Sequence, residues 1–340
     1  MPDPAPMVVR RDRRPPNPSS PAPDSQGPRE RRRPRIQWSW SGVGLAATAV
    51  LGAFTGATVL AMVWPKPDRS VQLREEVTAA TLAPKPRETI TVLVIGSDAD
   101  TASASGNGAA PPGPANSDTL LLVRVNAKGP VQVLQLPSEL ALSLPGRKEP
   151  LALRELYRQG GATLTAETLH ELLNLPDKAP ERYIVVPRQA LRQLVNALGG
   201  LEVSPPRPMK YRDKTLKYTI DLQSGLQRLS GDKVEQLVRF RDPRLGEESR
   251  RTNQKVVLSG LRDQLAQPDQ LAQLPGLLTT WLPQVETNLT PQEMLSLLAA
   301  SLDNPQPLAF QTLPLKPATK DYGDLRQLDP NAPKPLWPMP

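Results

Sequence analysis

The residues best suited to chemistry lie close together between Leu237 and Lys255: Arg239, Arg241, Arg244, Arg250 and Arg251, followed by Gln254. A guanidinium is planar, permanently charged and carries five donors, so it matches phosphate oxygens in a way few side chains can. Read as a strand, Leu237–Arg241 would point Arg239 and Arg241 the same way, because strand side chains alternate. Asp242-Pro243 and Gly246 mark a turn, and a helical pattern resumes beyond it. Arg250 and Gln254 then stand four apart on one face. The chemistry this suggests is a clamp for a di- or polyphosphate. The alternative is a solvated face whose arginines pair with Asp242, Glu247 and Glu248.

Two carboxylates add to this. The β-branched run Thr89–Ile95 reads as a buried strand that delivers Gly96-Ser97-Asp98 at its carboxyl end, where ligands of open α/β sheets tend to bind. Ser117-Asp118-Thr119 opens the next strand, which continues through Leu120–Val125. Asp98 and Asp118, with a ligand's phosphate oxygens, would suit Mg²⁺, a hard cation that demands oxygen and keeps some of its waters. The alternative is two ordinary turn aspartates.

The elements that must position these groups read as an α/β arrangement. A third strand is expected at Val131–Leu136, with helices at Pro150–Gln159, stopped by Gly160-Gly161, and from Thr165 to about Leu173. A strand at Arg182–Val186, a helix at Arg188–Leu198 and a strand at Leu201–Val203 have the look of a βαβ unit. Lys217–Leu222 is a strand and Asp232–Leu237 a helix. Ser249–Leu265, Leu271–Leu282 and Pro291–Leu302 are helices whose leucines have core spacing.

Composition limits the options. The chain of 340 residues has no cysteine and one histidine, His170. Thiolate metal sites, a cysteine nucleophile and a multi-histidine centre are excluded. The net charge of +8 is concentrated in the Pro/Arg-rich segment 1–37, where Arg10, Arg11, Arg13, Arg14, Arg29, Arg31, Arg32, Arg33 and Arg35 lie. That placement argues against a basic nucleic-acid domain elsewhere, and no nucleic-acid partner is expected. Segment 1–37 is too polar to bury a core and is expected to be a disordered tail. Ser41–Trp64 has no charged residue, over about the 20 residues that span a bilayer. Trp38, Trp40 and Trp64 flank it, so 38–65 is expected to be a transmembrane helix. The arginines before it put the N-terminus in the cytoplasm and the main domain outside, as a single-pass protein of the plasma membrane. Residues 66–88 read as a spacer with a short helix at Val71–Ala80. Residues 89–303 form the extracytoplasmic domain, and 304–340 a Pro-rich irregular tail.

The ordered part resembles the LytR-CpsA-Psr family. The resemblance is carried by ITVLVIGSD (Ile90–Asp98), NSDTLLLVRVN (Asn116–Asn126), VQVLQLPSEL (Val131–Leu140), LYRQGG (Leu156–Gly161), LVNALGGLEV (Leu194–Val203), SGLQRLSGDKV (Ser224–Val234), VRFR (Val238–Arg241) and the run Gly246–Gln254. The resemblance implies a central mixed β-sheet sandwiched by helices and enclosing an apolar tunnel. It implies a membrane-anchored, Mg²⁺-dependent phosphotransferase that moves a glycopolymer from a polyprenyl-pyrophosphate carrier to peptidoglycan. By the same resemblance Asp98 and Asp118 are the metal carboxylates, and Arg239, Arg241, Arg250 and Gln254 the pyrophosphate contacts. Arg241 and Glu247 are catalytic, Glu247 standing where the family has Asp, as base or positioning group. Four departures remove positive charge: Asp100 lies near an expected basic residue, and Asn116, Ser138 and Asn253 replace arginines. A family member that binds polyprenyl phosphates without turning them over, or that scaffolds envelope assembly, is the second expectation.

Overall fold

In the computed structural model, residues 77–104, 114–126, 129–176, 178–213, 218–319 and 323–338 are described. The tail expected at 1–37 and the span expected at 38–65 lie outside them. Among the described residues no helix is long and apolar enough to cross a membrane.

The elements are α1 (Ala79–Leu82), β1 (Ile90–Ser97), β2 (Ser117–Val125), β3 (Gln132–Gln135), β4 (Ala141–Leu142), β5 (Leu151–Ala152), α2 (Leu153–Leu173), β6 (Arg182–Val186) and α3 (Arg188–Ala197). They continue with β7 (Leu201–Val203), β8 (Met209–Asp213), β9 (Tyr218–Leu222), β10 (Gln227–Leu229), α4 (Gly231–Arg239), α5 (Glu247–Leu265), α6 (Pro268–Trp281), β11 (Glu286–Thr287), α7 (Pro291–Leu302) and β12 (Ala309–Thr312). Six strands form one mixed sheet in the order β11-β6-β1-β2-β3-β12. The β1–β2, β2–β3 and β6–β11 pairs are antiparallel; β1–β6 and β3–β12 are parallel.

The continuous apolar run of β1 has a simple cause: both faces of the sheet are covered. Leu93 and Ile95 pair with Leu122 and Leu120 and pack with α2 in one core. Val92 lies opposite Val123 on the other face, packed with α6 and α7 in a second core. Each such side chain contributes about 1.5–3 kcal/mol when fully buried, so a one-residue slip would exchange two well-filled faces at once. A third core, built from α4, α5 and strands β7 to β10, includes Val234, Leu237, Phe240 and Val257.

Three expectations need correction. Leu237–Arg241 is not a strand: α4 runs to Arg239 and the chain turns extended at Phe240. Short apolar runs are ambiguous between strand and helix, and here Val234 and Leu237, three apart, bury one helical face. The β6-α3-β7 stretch is no βαβ unit of one sheet, because β7 pairs with β10 in a separate ribbon. The segment after residue 304 is irregular beyond Thr312, as expected, but it is not a loose tail. It supplies β12 to the sheet edge, and Trp337 is only 2 % exposed within the first core. Proline hides this by removing donors and periodicity without preventing burial.

Candidate active site

A β-bulge starts the site. Gly96 pairs with Thr119 but Ser97 pairs with Ser117, so Asp118 is the extra residue on β2. Bulges of this kind re-aim side chains at sheet ends. Asp98 follows β1, and its Oδ1 accepts the main-chain N–H of Asn116 at 2.9 Å. Gly96 has no room for a side chain, since an added Cβ would lie 2.9 Å from the Cβ of Thr119. That close approach lets Thr119 Oγ1 accept a hydrogen bond from Gln254 Nε2 at 2.7 Å.

The second wall is α4 with its exit. Phe240 is buried in the third core and separates the two arginines it lies between. Arg239, in the last turn of α4, reaches Glu235 at 3.2 Å and Asp118 at 4.0 Å. Arg241, beyond the helix, pairs with Glu247 and keeps 54 % of its side chain exposed. The turn is built locally. Asp242 Oδ1 accepts the N–H groups of Arg244 and Leu245, and Gly246 at φ 56° opens α5 in a conformation that favours glycine.

The first turns of α5 complete the site. Glu247 lies at the helix N-terminus, where a carboxylate is favoured by the dipole. Arg250, 8 % exposed at its side chain, bridges Glu247 at 2.7 Å, Asp118 at 3.3 Å and Ser138 Oγ at 2.8 Å. The next residue, Arg251, pairs with the buried Glu139 at 2.9 Å.

The residues singled out in the sequence lie near one another in the structure. Asp98, Asp118, Arg239, Arg250 and Gln254 converge, and Glu247 and Arg241 form the adjoining pair. Their arrangement differs from the expected parallel forks. Arg239 pairs with Glu235 and Asp118, Arg241 with Glu247, and Arg250 is spent on protein partners. Three of the four departures are absorbed in particular ways, whereas the side-chain oxygen of Asn116 is buried without a hydrogen-bond partner. Ser138 accepts from Arg250, Asn253 is buried with its amide directed to the Phe240 carbonyl, and Asp100 pairs with Arg188 at 2.9 Å. Sequence reasoning missed Glu235, Arg188 and Thr119, and singled out Ser138 only as the replacement of an arginine. The i,i+4 pair Glu235/Arg239 was the signal available for the first of these.

Burial, and next the charge of Asp118, push the Asp98 carboxyl above the ordinary aspartate range; the hydrogen bonds from Asn116 and the charge of Arg239 pull the other way. Two oxygen-donor side chains that repel one another fit a divalent cation of magnesium type, which draws its other ligands from water and phosphate. Among the described residues no group of three or more His, Cys, Asp or Glu side chains offers a metal cage. Beside Asp98, a cavity of about 300 Å³ is lined by its neighbours Ser97 and Ala99 and by Ala115, Tyr157, Gly161 and Pro187.

Residues 66–329 match the LytR_cpsA_psr family. The polyisoprenyl-teichoic acid–peptidoglycan teichoic acid transferase TagU of Enterococcus faecalis is 27% identical over 181 residues, 52% of this chain and 56% of that protein. The corresponding transferase TagV of Bacillus subtilis is 25% identical over 186 residues, 53% of this chain and 47% of that protein. The chain thus spans about half the length of the curated relatives it matches. The crystal structure of B. subtilis TagV superimposes with a TM-score of 0.58 at 19% identity, over 72% of this chain and 92% of that one, and so shares the fold. With the match covering most of its length, this chain belongs to the LytR_cpsA_psr family.

Proposed function

We propose that this protein is a membrane-anchored phosphotransferase that moves a glycopolymer from a polyprenyl-pyrophosphate carrier to peptidoglycan on the outer side of the plasma membrane. The observation that carries the reading is the meeting of Arg239 and Arg250 with Asp118 beside Asp98, at the end of β1. Groups from four separate stretches of chain converge there on the chemistry a pyrophosphate needs: guanidinium donors and oxygen ligands for a cation. The names of the relatives, transferases of teichoic acid to peptidoglycan, support the same reading.

In the reaction, a hydroxyl of the wall glycan attacks the phosphorus that bears the glycopolymer. A new phosphorus–oxygen bond forms as the bond to the carrier's own phosphate breaks, and polyprenyl phosphate leaves. The protein's part is positioning and charge neutralisation. Arg241, exposed at the rim, and Arg239 meet the pyrophosphate. Arg250 and Gln254 hold Asp118, Glu247 and Thr119 in place. Glu247 receives or orients the hydroxyl proton. Mg²⁺ held by Asp98 and Asp118 would neutralise charge on the pyrophosphate. The cavity beside Asp98 would receive the first part of the carrier's lipid, and an apolar span at 38–65 would tether the chain to the membrane that holds the carrier.

The test is transfer by the full-length protein in detergent, from a polyprenyl-pyrophosphate oligosaccharide to a peptidoglycan fragment, with and without Mg²⁺. Removing one preorganised donor costs on the order of 100- to 1000-fold in rate, so Arg239→Ala and Arg241→Ala should fall by that much. Unchanged rates in both variants would defeat the proposal. One observation favours a second reading, a non-catalytic carrier-binding protein: the guanidinium of Arg250 is engaged by three protein groups. That reading gives carrier binding with no transfer under any metal condition.

A further inference from the structure

Behind Arg239 lies a carboxylate that the proposed reaction does not use. Glu235, in α4, keeps only 5 % of its side chain exposed and is met by three guanidiniums. Arg188 Nε stands 2.7 Å from Oε1, Arg239 Nη1 3.2 Å from the same oxygen, and Arg192 Nη1 3.3 Å from Oε2. The geometry follows from helix periodicity. Arg188 and Arg192 are four apart on α3, Glu235 and Arg239 four apart on α4, so two faces meet. The helices touch at backbone distance. A Cβ at Gly231 would lie 2.2 Å from the Arg192 carbonyl oxygen, and the Gly231 N–H donates to Asn196 Oδ1 at 2.8 Å.

We infer that Glu235 is a positioning residue for Arg239, holding its guanidinium at the edge of the aspartate pair so that the fork faces the pyrophosphate. The inference rests on the reading of the site proposed above. Arg188 and Arg192 each have a second carboxylate on the far side, Asp100 at 2.9 Å and Asp232 at 3.5 Å. Arg239, by contrast, has carboxylates of the site itself on its far side: Asp118 at 4.0 Å, and Asp98, on which its charge also acts. Removing the charge of Glu235 therefore leaves α3 supplied with acid partners but draws Arg239 onto Asp118. The fork closes on the protein's own carboxylate and competes with the ligand. Because Glu235 is buried and Asp118 partly open, the attraction toward Glu235 is the less screened of the two.

The test is calorimetric binding of inorganic pyrophosphate with Mg²⁺ to the full-length protein. Glu235→Gln is measured in the wild-type background and in Arg239→Lys, which keeps the charge but has no fork to orient. The expected result is about a tenfold loss of affinity in the first background, no further loss in the second, and partial rescue by Glu235→Asp. Equal losses in both backgrounds, or none in the first, would show that Glu235 only joins α3 to α4 and would overturn the inference while leaving the proposed function standing. Wild-type protein that binds no pyrophosphate overturns both. Should Glu235→Gln fold poorly through uncompensated positive charge, the pair Glu235→Gln with Arg192→Gln restores the balance and is read the same way.

Discussion

At the scale of single residues, the site places charge where folding alone would not. Asp98 is buried beside a second carboxylate, so its carboxyl gives up a proton less readily in the folded protein than in the unfolded chain. A folded-state pKa above the unfolded one contributes stability that is full below the unfolded value, 3.8, and is lost as pH rises through the folded one. Asp98→Asn should therefore raise the melting temperature at neutral pH in the absence of divalent cation. The gain should shrink to nothing as the pH falls below about 4. Transfer activity should be lost in the same variant. A melting temperature that falls at neutral pH would show that Asp98 is not under this strain. The same reasoning separates the arginines: Arg250 acts on its protein neighbours, whereas Arg241 has the exposure to meet a ligand.

At the scale of elements, the site depends on how helices are started and stopped. The α5 start presents Glu247 and Arg250 together, and the α4 end releases Arg241 from the helix that holds Arg239. A comparable junction away from the site fixes α7 to the sheet. Thr290 caps α7 and exchanges hydrogen bonds with Glu293, whose Oε1 also receives Arg182 of β6 at 2.5 and 3.1 Å. The Thr290 N–H, with the Arg182 bonds next, holds the Glu293 carboxyl down at about 2, from 4.5. A depressed pKa gives stability that is present above the unfolded value and lost as pH falls through the folded one. The stability gap between wild type and Glu293→Gln, measured by denaturant midpoint, should be constant above pH 5. It should close between about 4.5 and 2. A gap independent of pH would refute the ionised capping box.

At the scale of the whole molecule, three cores hold the site from behind, and the C-terminal segment closes one of them. Its strand β12 covers the open edge of β3, an edge that would otherwise invite association. Trp337 then fills space among Leu, Ala and Val side chains of the first core. Loss of a buried Trp side chain costs about 3–5 kcal/mol, so Trp337→Ala should lower the denaturant midpoint substantially and uniformly across the domain. Trp337→Phe should be milder, because the indole Nε1–H is buried with no hydrogen-bond partner and its removal relieves a penalty. Equal stability of wild type and Trp337→Ala would mean the segment does not close the core.

Sequence alone determined the local features: the buried strand at β1, the β2–β3 hairpin, most helix limits, and the identity of the groups able to do chemistry. Alternating or helical burial and turn glycines leave marks within a few residues of one another, so these were legible. The kink of α2 at Gly160-Gly161, where φ at Gly161 is 66°, is one such mark. Tertiary structure decided the rest. That Arg239 ends a helix, that Asp118 is the bulged residue, that Ser138 serves Arg250, and that Glu235 gathers arginines from another helix all depend on partners distant in the chain. So does the burial of Trp337, which no periodicity announces. A residue's type limits what it can bind, but what it does bind is set by which surfaces pack against it, and that is a property of the folded whole.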